Sequence, residues 1–218
     1  MQIPLLIKQI IQLPGTLYHK KKSKSLLNLN PTIISSNCFG TFIYHDMGLK
    51  FNSPTINLFF SVDDFIKMVM NLPEYMESDV VEIQNSGYDF PVGKISYNGE
   101  DVYIKFMHYT DFHIAKEKWN ERKKRIDYSN LYIILNIAQI SDEYIQKFQK
   151  IPYPNKLLVT NENPSNDNNI VTHNIFDKNY KNGKVFKYKH LFSTKRYMDE
   201  IDYIQFLNSN NTIGEEIK

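Results

Sequence analysis

Apolar residues along this chain follow two rhythms, short aliphatic runs and stretches where they recur every third or fourth position. Thr32-Ile33-Ile34-Ser35-Ser36 is a β-branched run closed by polar residues and predicts a buried strand that opens into the loop Asn37-Cys38-Phe39-Gly40. Thr41 is placed to cap a helix over 42–47, with Gly48 as its stop. Residues 54–60 are nearly continuous in apolar character and predict a second, inner strand. Ser61-Val62-Asp63-Asp64 then opens a helix with Phe65, Ile66, Val69 and Leu72 at helical spacing.

The texture changes after Pro73. Three short strands are predicted at 80–83, 93–97 and 102–107, the last two joined by Asn98-Gly99, a strong hairpin signal. A helix over 111–124 carries Phe112, Ala115 and Trp119 on one face, and 131–135 is a further buried strand. A helix at 141–148 and a strand at 156–160 follow. Residues 161–177 are Asn-rich and predict a long surface loop, 184–186 a strand, and 196–208 a last helix. Strands separated by helices predict an α/β fold: a layered, mostly parallel sheet with helices on both faces and a small antiparallel edge insertion. The expected organisation is an apolar and basic appendage over 1–30, one α/β domain over 31–208 and a flexible tail over 209–218.

Composition narrows the function. With 42% hydrophobic and 14% aromatic residues the chain has enough apolar surface for a core. A net charge of +2 is too small for a partner held by counterion release, so nucleic acid is not expected. Cys38 is the single cysteine, which excludes an internal disulfide and fits a reducing, cytoplasmic setting. Arginine occurs only at Arg122, Arg125 and Arg196 in a lysine-rich chain, which makes each of them worth weighing.

The apolar stretch from residue 3 to 13 is shorter than the roughly 20 residues that a bilayer requires. Its charges follow it, at His19-Lys20-Lys21-Lys22-Ser23-Lys24, where a signal peptide would have them first. Two readings stay open: a terminal helix packed on the domain with a solvated lysine run, or an interfacial anchor in peripheral contact with the inner face of the plasma membrane.

Open α/β sheets bind ligands beyond the carboxyl ends of their strands. The loop Asn37-Cys38-Phe39-Gly40 lies there, and the helix after it offers free amides and a positive dipole end to an anion. No Gly-x-Gly-x-x-Gly or Walker-type pattern accompanies it. Together with Tyr44-His45-Asp46-Met47-Gly48-Leu49-Lys50-Phe51-Asn52-Ser53-Pro54-Thr55, residues 33–40 resemble the opening signature of an exopolysaccharide-biosynthesis family built on domain of unknown function 1919. Pro91-Val92-Gly93-Lys94, Met107-His108-Tyr109, the block from Ala115 through Trp119 to Ile126, Lys195-Arg196-Tyr197 and Asp202-Tyr203 are similar to its later blocks. The chain departs from that pattern at Phe39, Thr41 and Asn136-Ile137-Ala138-Gln139, where tryptophan, glycine and an acidic, arginine-containing turn are usual.

The resemblance implies surface-polysaccharide assembly. The expected activity is a glycosyltransferase that moves a sugar from a nucleotide-sugar donor to a lipid-linked glycan acceptor. The alternatives are an acyl- or phosphate-group transferase of the same pathway and a non-catalytic partner of a larger transferase. Asn37, Cys38 and Gly40 with Arg122 and Arg125, whose guanidinium forks suit a diphosphate, would hold the donor. His45, Asp46 or His108 would act as the base, although neighbouring helix positions point about 100° apart, which works against Asp46 orienting His45. A divalent metal is compatible with such chemistry but no carboxylate pair argues for it. Asp63-Asp64 suits a helix cap better than a metal pair, Trp119 suits core better than a sugar platform, and Cys38 suits a buried loop position better than a nucleophile.

Overall fold

The structure, a computed structural model, describes residues 5–138, 141–160, 170–172, 184–190 and 193–212. It begins with α1 (Leu5–Ser23), β1 (Thr32–Ser35), α2 (Phe39–Met47), α3 (Val62–Met70) and the short α4 (Leu72–Glu77). Three strands follow, β2 (Val81–Glu82), β3 (Val92–Tyr97) and β4 (Glu100–Lys105), and then α5 (Phe112–Lys123), β5 (Leu131–Asn136), α6 (Asp142–Gln149), β6 (Lys156–Thr160), β7 (Ile170–Thr172) and α7 (Tyr203–Thr212). The fold is α/β. A parallel sheet runs in the order β1-β5-β6-β7, and β2-β3-β4 form a separate antiparallel sheet.

Alternation along the parallel strands divides the core between two faces. Ile34, Leu131, Ile133, Leu135 and Leu158 pack with α3, α4, the β3–β4 hairpin, α5 and α6. Ile33, Tyr132, Ile134, Leu157 and Val159 pack with α2, α7 and the turns before α7. Helices therefore cover both faces, as the pattern predicts. Asn98 and Gly99 take positive φ values of 51° and 80° and close the β3–β4 hairpin tightly.

Several boundaries differ from the sequence reading. Residues 54–60 do not form a strand; Asn57 sits at φ 61°, and only Phe59 bridges Lys105 of β4. The outer edge of β1 is closed by side chains instead, because the Ile33 amide donates to the Tyr44 hydroxyl (2.9 Å) and the Ser35 amide to Thr55 Oγ1 (3.0 Å). Residues 184–186 form a 3-10 turn, and the expected loop over 161–177 contains β7, paired in parallel with β6. The remainder of that loop and residues 213–218 of the expected tail lie outside the described residues. The expected helix over 196–208 divides into a 3-10 turn, Tyr197–Glu200, and α7. Among the described residues no helix is long and apolar enough to cross a membrane.

Candidate functional site

The carboxyl ends of β1 and β5 are tied to each other by short polar side chains. The Asn136 amide donates to Ser36 Oγ (3.0 Å), and Asn37 Nδ2 donates to Asn136 Oδ1 (2.9 Å). Asn37 Oδ1 accepts from the Phe39 amide (3.0 Å), so α2 starts at Phe39 with Cys38 at its cap position rather than at Thr41. Thr41 Oγ1 is turned to the Asn57 amide (3.0 Å) and holds the irregular 54–60 segment. Asn136 thus offers Asn37 an uncharged acceptor oxygen.

A cavity of about 640 Å3 opens at these strand ends. Ser36, Asn37, Asn136, Ser61 and His108 supply its polar lining; Phe59, Phe60, Leu135, Ile137 and Phe186 supply apolar walls. None of the described lining residues is a carboxylate. Such a mixture, apolar rings with a few fixed amides and hydroxyls, suits a neutral polar ring system more than a bare ion.

A second cavity of about 740 Å3 runs along α2, between that helix, residues 16–23 of α1 and the segment containing Tyr188 and Arg196. Cys38 and Phe186 line both cavities, so the two share a wall. Phe186 stacks on Phe42 with ring centroids 4.8 Å apart. The second cavity extends to His45, seven residues beyond Cys38 and hence about 10 Å further along the helix.

Buried charges form part of that second cavity. Arg196 grips Asp46 with both terminal nitrogens, at 2.6 and 2.9 Å, and its guanidinium lies 4.7 Å from the Phe42 ring centre and 5.5 Å from that of Tyr188. His19 Nε2 donates to Asp199, 3.0 Å from both carboxylate oxygens, and lies 3.6 Å from Asp46. Asp199 also accepts from the Arg196 amide (2.7 Å). Burial pushes the Asp199 carboxyl up, but the hydrogen bonds from His19 and the Arg196 amide outweigh it and hold the group below its ordinary range. For Arg196, burial works against the charge, and the Asp46 carboxylate more than offsets it, leaving the guanidinium above its ordinary value.

His19, Asp46 and Asp199 have the donor types of a metal site, with ligand atoms within 4.8 Å of one another. Arg196 already supplies the positive charge that a divalent ion would bring to Asp46, bound to both of its oxygens. The arrangement is a closed ion-pair network that joins α1, α2 and the turn before α7.

The sequence candidates are thus dispersed. His108 is exposed at the first cavity, and His45 is 79% exposed at the second, its Nδ1 3.4 Å from Asp46. Asp46 is committed to Arg196. Gly40 does make a close approach, but to β1: an added Cβ would lie 3.0 Å from Ser35 Cβ and 3.2 Å from Ile33 Cγ2. Burial pushes the Cys38 thiol up to about 11, which keeps it protonated at neutral pH and unsuited to nucleophilic attack. Arg122 donates to the Tyr109 hydroxyl (2.7 Å) and Arg125 to the Phe51 carbonyl (3.0 Å); neither lines either cavity. Trp119 is buried in the core, and Ser61 caps α3 through the Asp64 amide, with Asp64 paired to Lys105.

Sequence reasoning missed His19 and Asp199. A contact across 180 positions has no local signature, and the lysines after His19 drew attention to charge. Arg196 did carry a signal, the scarcity of arginine.

An uncharacterized protein of Haemophilus influenzae (strain KW20 / Rd) is 32% identical over 186 residues, covering 85% of this chain and 87% of the relative. The profile of domain of unknown function 1919 matches residues 12–208, which include His19, the strand-end cavity, Arg196 and Asp199, and the chain belongs to that family.

Proposed function

We propose that this protein is a cytoplasmic glycosyltransferase of bacterial exopolysaccharide or capsule assembly, acting on a nucleotide-sugar donor and a lipid-linked glycan acceptor. The observation that carries the reading is the strand-end cavity, where aromatic walls from Phe59, Phe60 and Phe186 meet the amides of Asn37 and Asn136. Apolar faces and directional amides are what a sugar or nucleobase ring needs. The donor occupies this cavity, and its diphosphate faces the amino-terminal end of α2, whose dipole offsets charge developing on the leaving nucleotide. The acceptor approaches along the neighbouring cavity and meets the donor at the wall shared through Cys38 and Phe186.

His108 is the base in this scheme. Cys38 is held protonated, none of the described lining residues is a carboxylate, and His45 lies about 10 Å along α2 from the shared wall. An imidazole at this position can accept the proton of the acceptor hydroxyl. Calorimetric titration of the full chain with UDP-, GDP- and CDP-sugars, followed by an assay of nucleotide release with glycan acceptors, tests the proposal. Binding of one donor class at the strand-end cavity, weakened by Asn37→Ala, is the expected result. Binding of acyl-CoA with no response to any nucleotide-sugar would replace glycosyl transfer by acyl transfer.

A further inference from the structure

The lysine run after the apolar amino-terminal stretch is not uniformly solvated. Within α1, Gly15 and His19 are buried: an added Cβ on Gly15 would fall on the Tyr188 side chain, and His19 is tied to Asp199. Lys22 points the same way, 3.6 Å from the centre of the Tyr203 ring, and burial lowers its pKa. These contacts fix the rotation of the helix about its axis.

The outward stripe is therefore fixed as well. Leu17, Lys20, Lys21 and, at the end of the helix, Lys24 recur at i, i+3, i+4 and i+7, and all are exposed. Among the described residues no carboxylate forms a salt bridge with any of these three lysines. Leu17 is 59% exposed, and the segment after the helix adds Leu27 at 62% and Leu29 at 69% while Leu26 and Asn28 turn inward.

We propose that this face of α1, with Leu27 and Leu29, is a docking surface for an anionic phospholipid bilayer. The leucines enter the headgroup boundary while Lys20, Lys21 and Lys24 meet the lipid phosphates, an arrangement that lies on a membrane without crossing it. A nucleic acid would satisfy the lysines but leave three exposed leucines without a partner. The proposal does not depend on the transferase reading, but it would set the α2 cavity, which α1 walls, beside the bilayer that carries a lipid-linked acceptor.

Co-sedimentation of the full chain with vesicles tests it without any donor or acceptor. Vesicles of phosphatidylcholine mixed with phosphatidylglycerol should bring the protein down at physiological salt, while phosphatidylcholine alone should not. The triple variant Lys20→Glu, Lys21→Glu, Lys24→Glu should bind roughly a hundredfold more weakly. Leu17→Ser with Leu27→Ser and Leu29→Ser should lose the binding that survives in high salt. All six side chains are exposed, and circular dichroism will verify that both variants are folded. Equal binding to neutral and anionic vesicles, unchanged binding by the lysine variant, or no vesicle binding with self-association in light scattering would each overturn the proposal, the last in favour of a second copy as the occupant.

Discussion

Arg196 illustrates how one side chain governs a buried neighbourhood. Its two hydrogen bonds to Asp46 neutralise a carboxylate that has almost no access to water. Replacing it by methionine, of similar volume, leaves that charge without its partner, and a loss of about 3–5 kcal/mol is expected in urea denaturation. The double variant Arg196→Met, Asp46→Asn should recover part of the loss, because the uncompensated charge is gone; no recovery would mean that the guanidinium acts chiefly through its packing between Phe42 and Tyr188. Cys38 makes a second test at this scale. With its thiol pushed up to about 11 by burial, reaction with a thiol-disulfide reagent at neutral pH should be slow in the native protein and fast once it is unfolded. Fast native labelling would return the thiolate to consideration as a nucleophile.

Between elements, the decisive joint is the one at which α1 meets the 3-10 turn before α7. Asp199 lies in the 3-10 turn before α7, His19 on α1 and Asp46 on α2, so the network binds parts of the chain that the sheet does not connect directly. Since Asp199 is held below its ordinary range, the folded protein binds its proton less readily than the unfolded chain does. Its contribution is complete above the unfolded value of about 4 and is lost as the pH falls below that toward the folded value. Thermal melts should therefore fall on acidification through this window, and Asp199→Asn, less stable at neutral pH, should show a shallower acid slope. A slope unchanged in the variant would assign the acid response to other carboxylates. Tyr197, Ile201, Ile204 and Leu207 predict a single helix over 196–208, whereas the chain breaks at Ile201 and Asp202 and buries Asp199 in the turn before the break.

For the molecule as a whole, the two cavities and their shared wall are where the proposed transfer can be tested. If His108 is the base at the strand-end cavity, His108→Ala should lower kcat about 10²- to 10⁴-fold in the nucleotide-release assay, while His45→Ala should leave kcat nearly unchanged. The opposite pattern would move the chemistry into the α2 cavity. The sequence alone determined the α/β class, the β3–β4 hairpin and the helices that open at Ser61 and Asp111, because apolar periodicity and Asn-Gly turns act over a few neighbouring residues. It also singled out the loop after β1, where a cavity opens. Tertiary structure decided the remainder. The outer edge of β1 is satisfied by Tyr44 and Thr55, which removes the need for a strand at 54–60. Arg122 and Arg125 brace Tyr109 and Phe51, whereas Arg196 reaches a carboxylate 150 positions away. Local patterning fixes which backbone forms where; which charges become partners depends on burial, and burial exists only once distant segments are packed together.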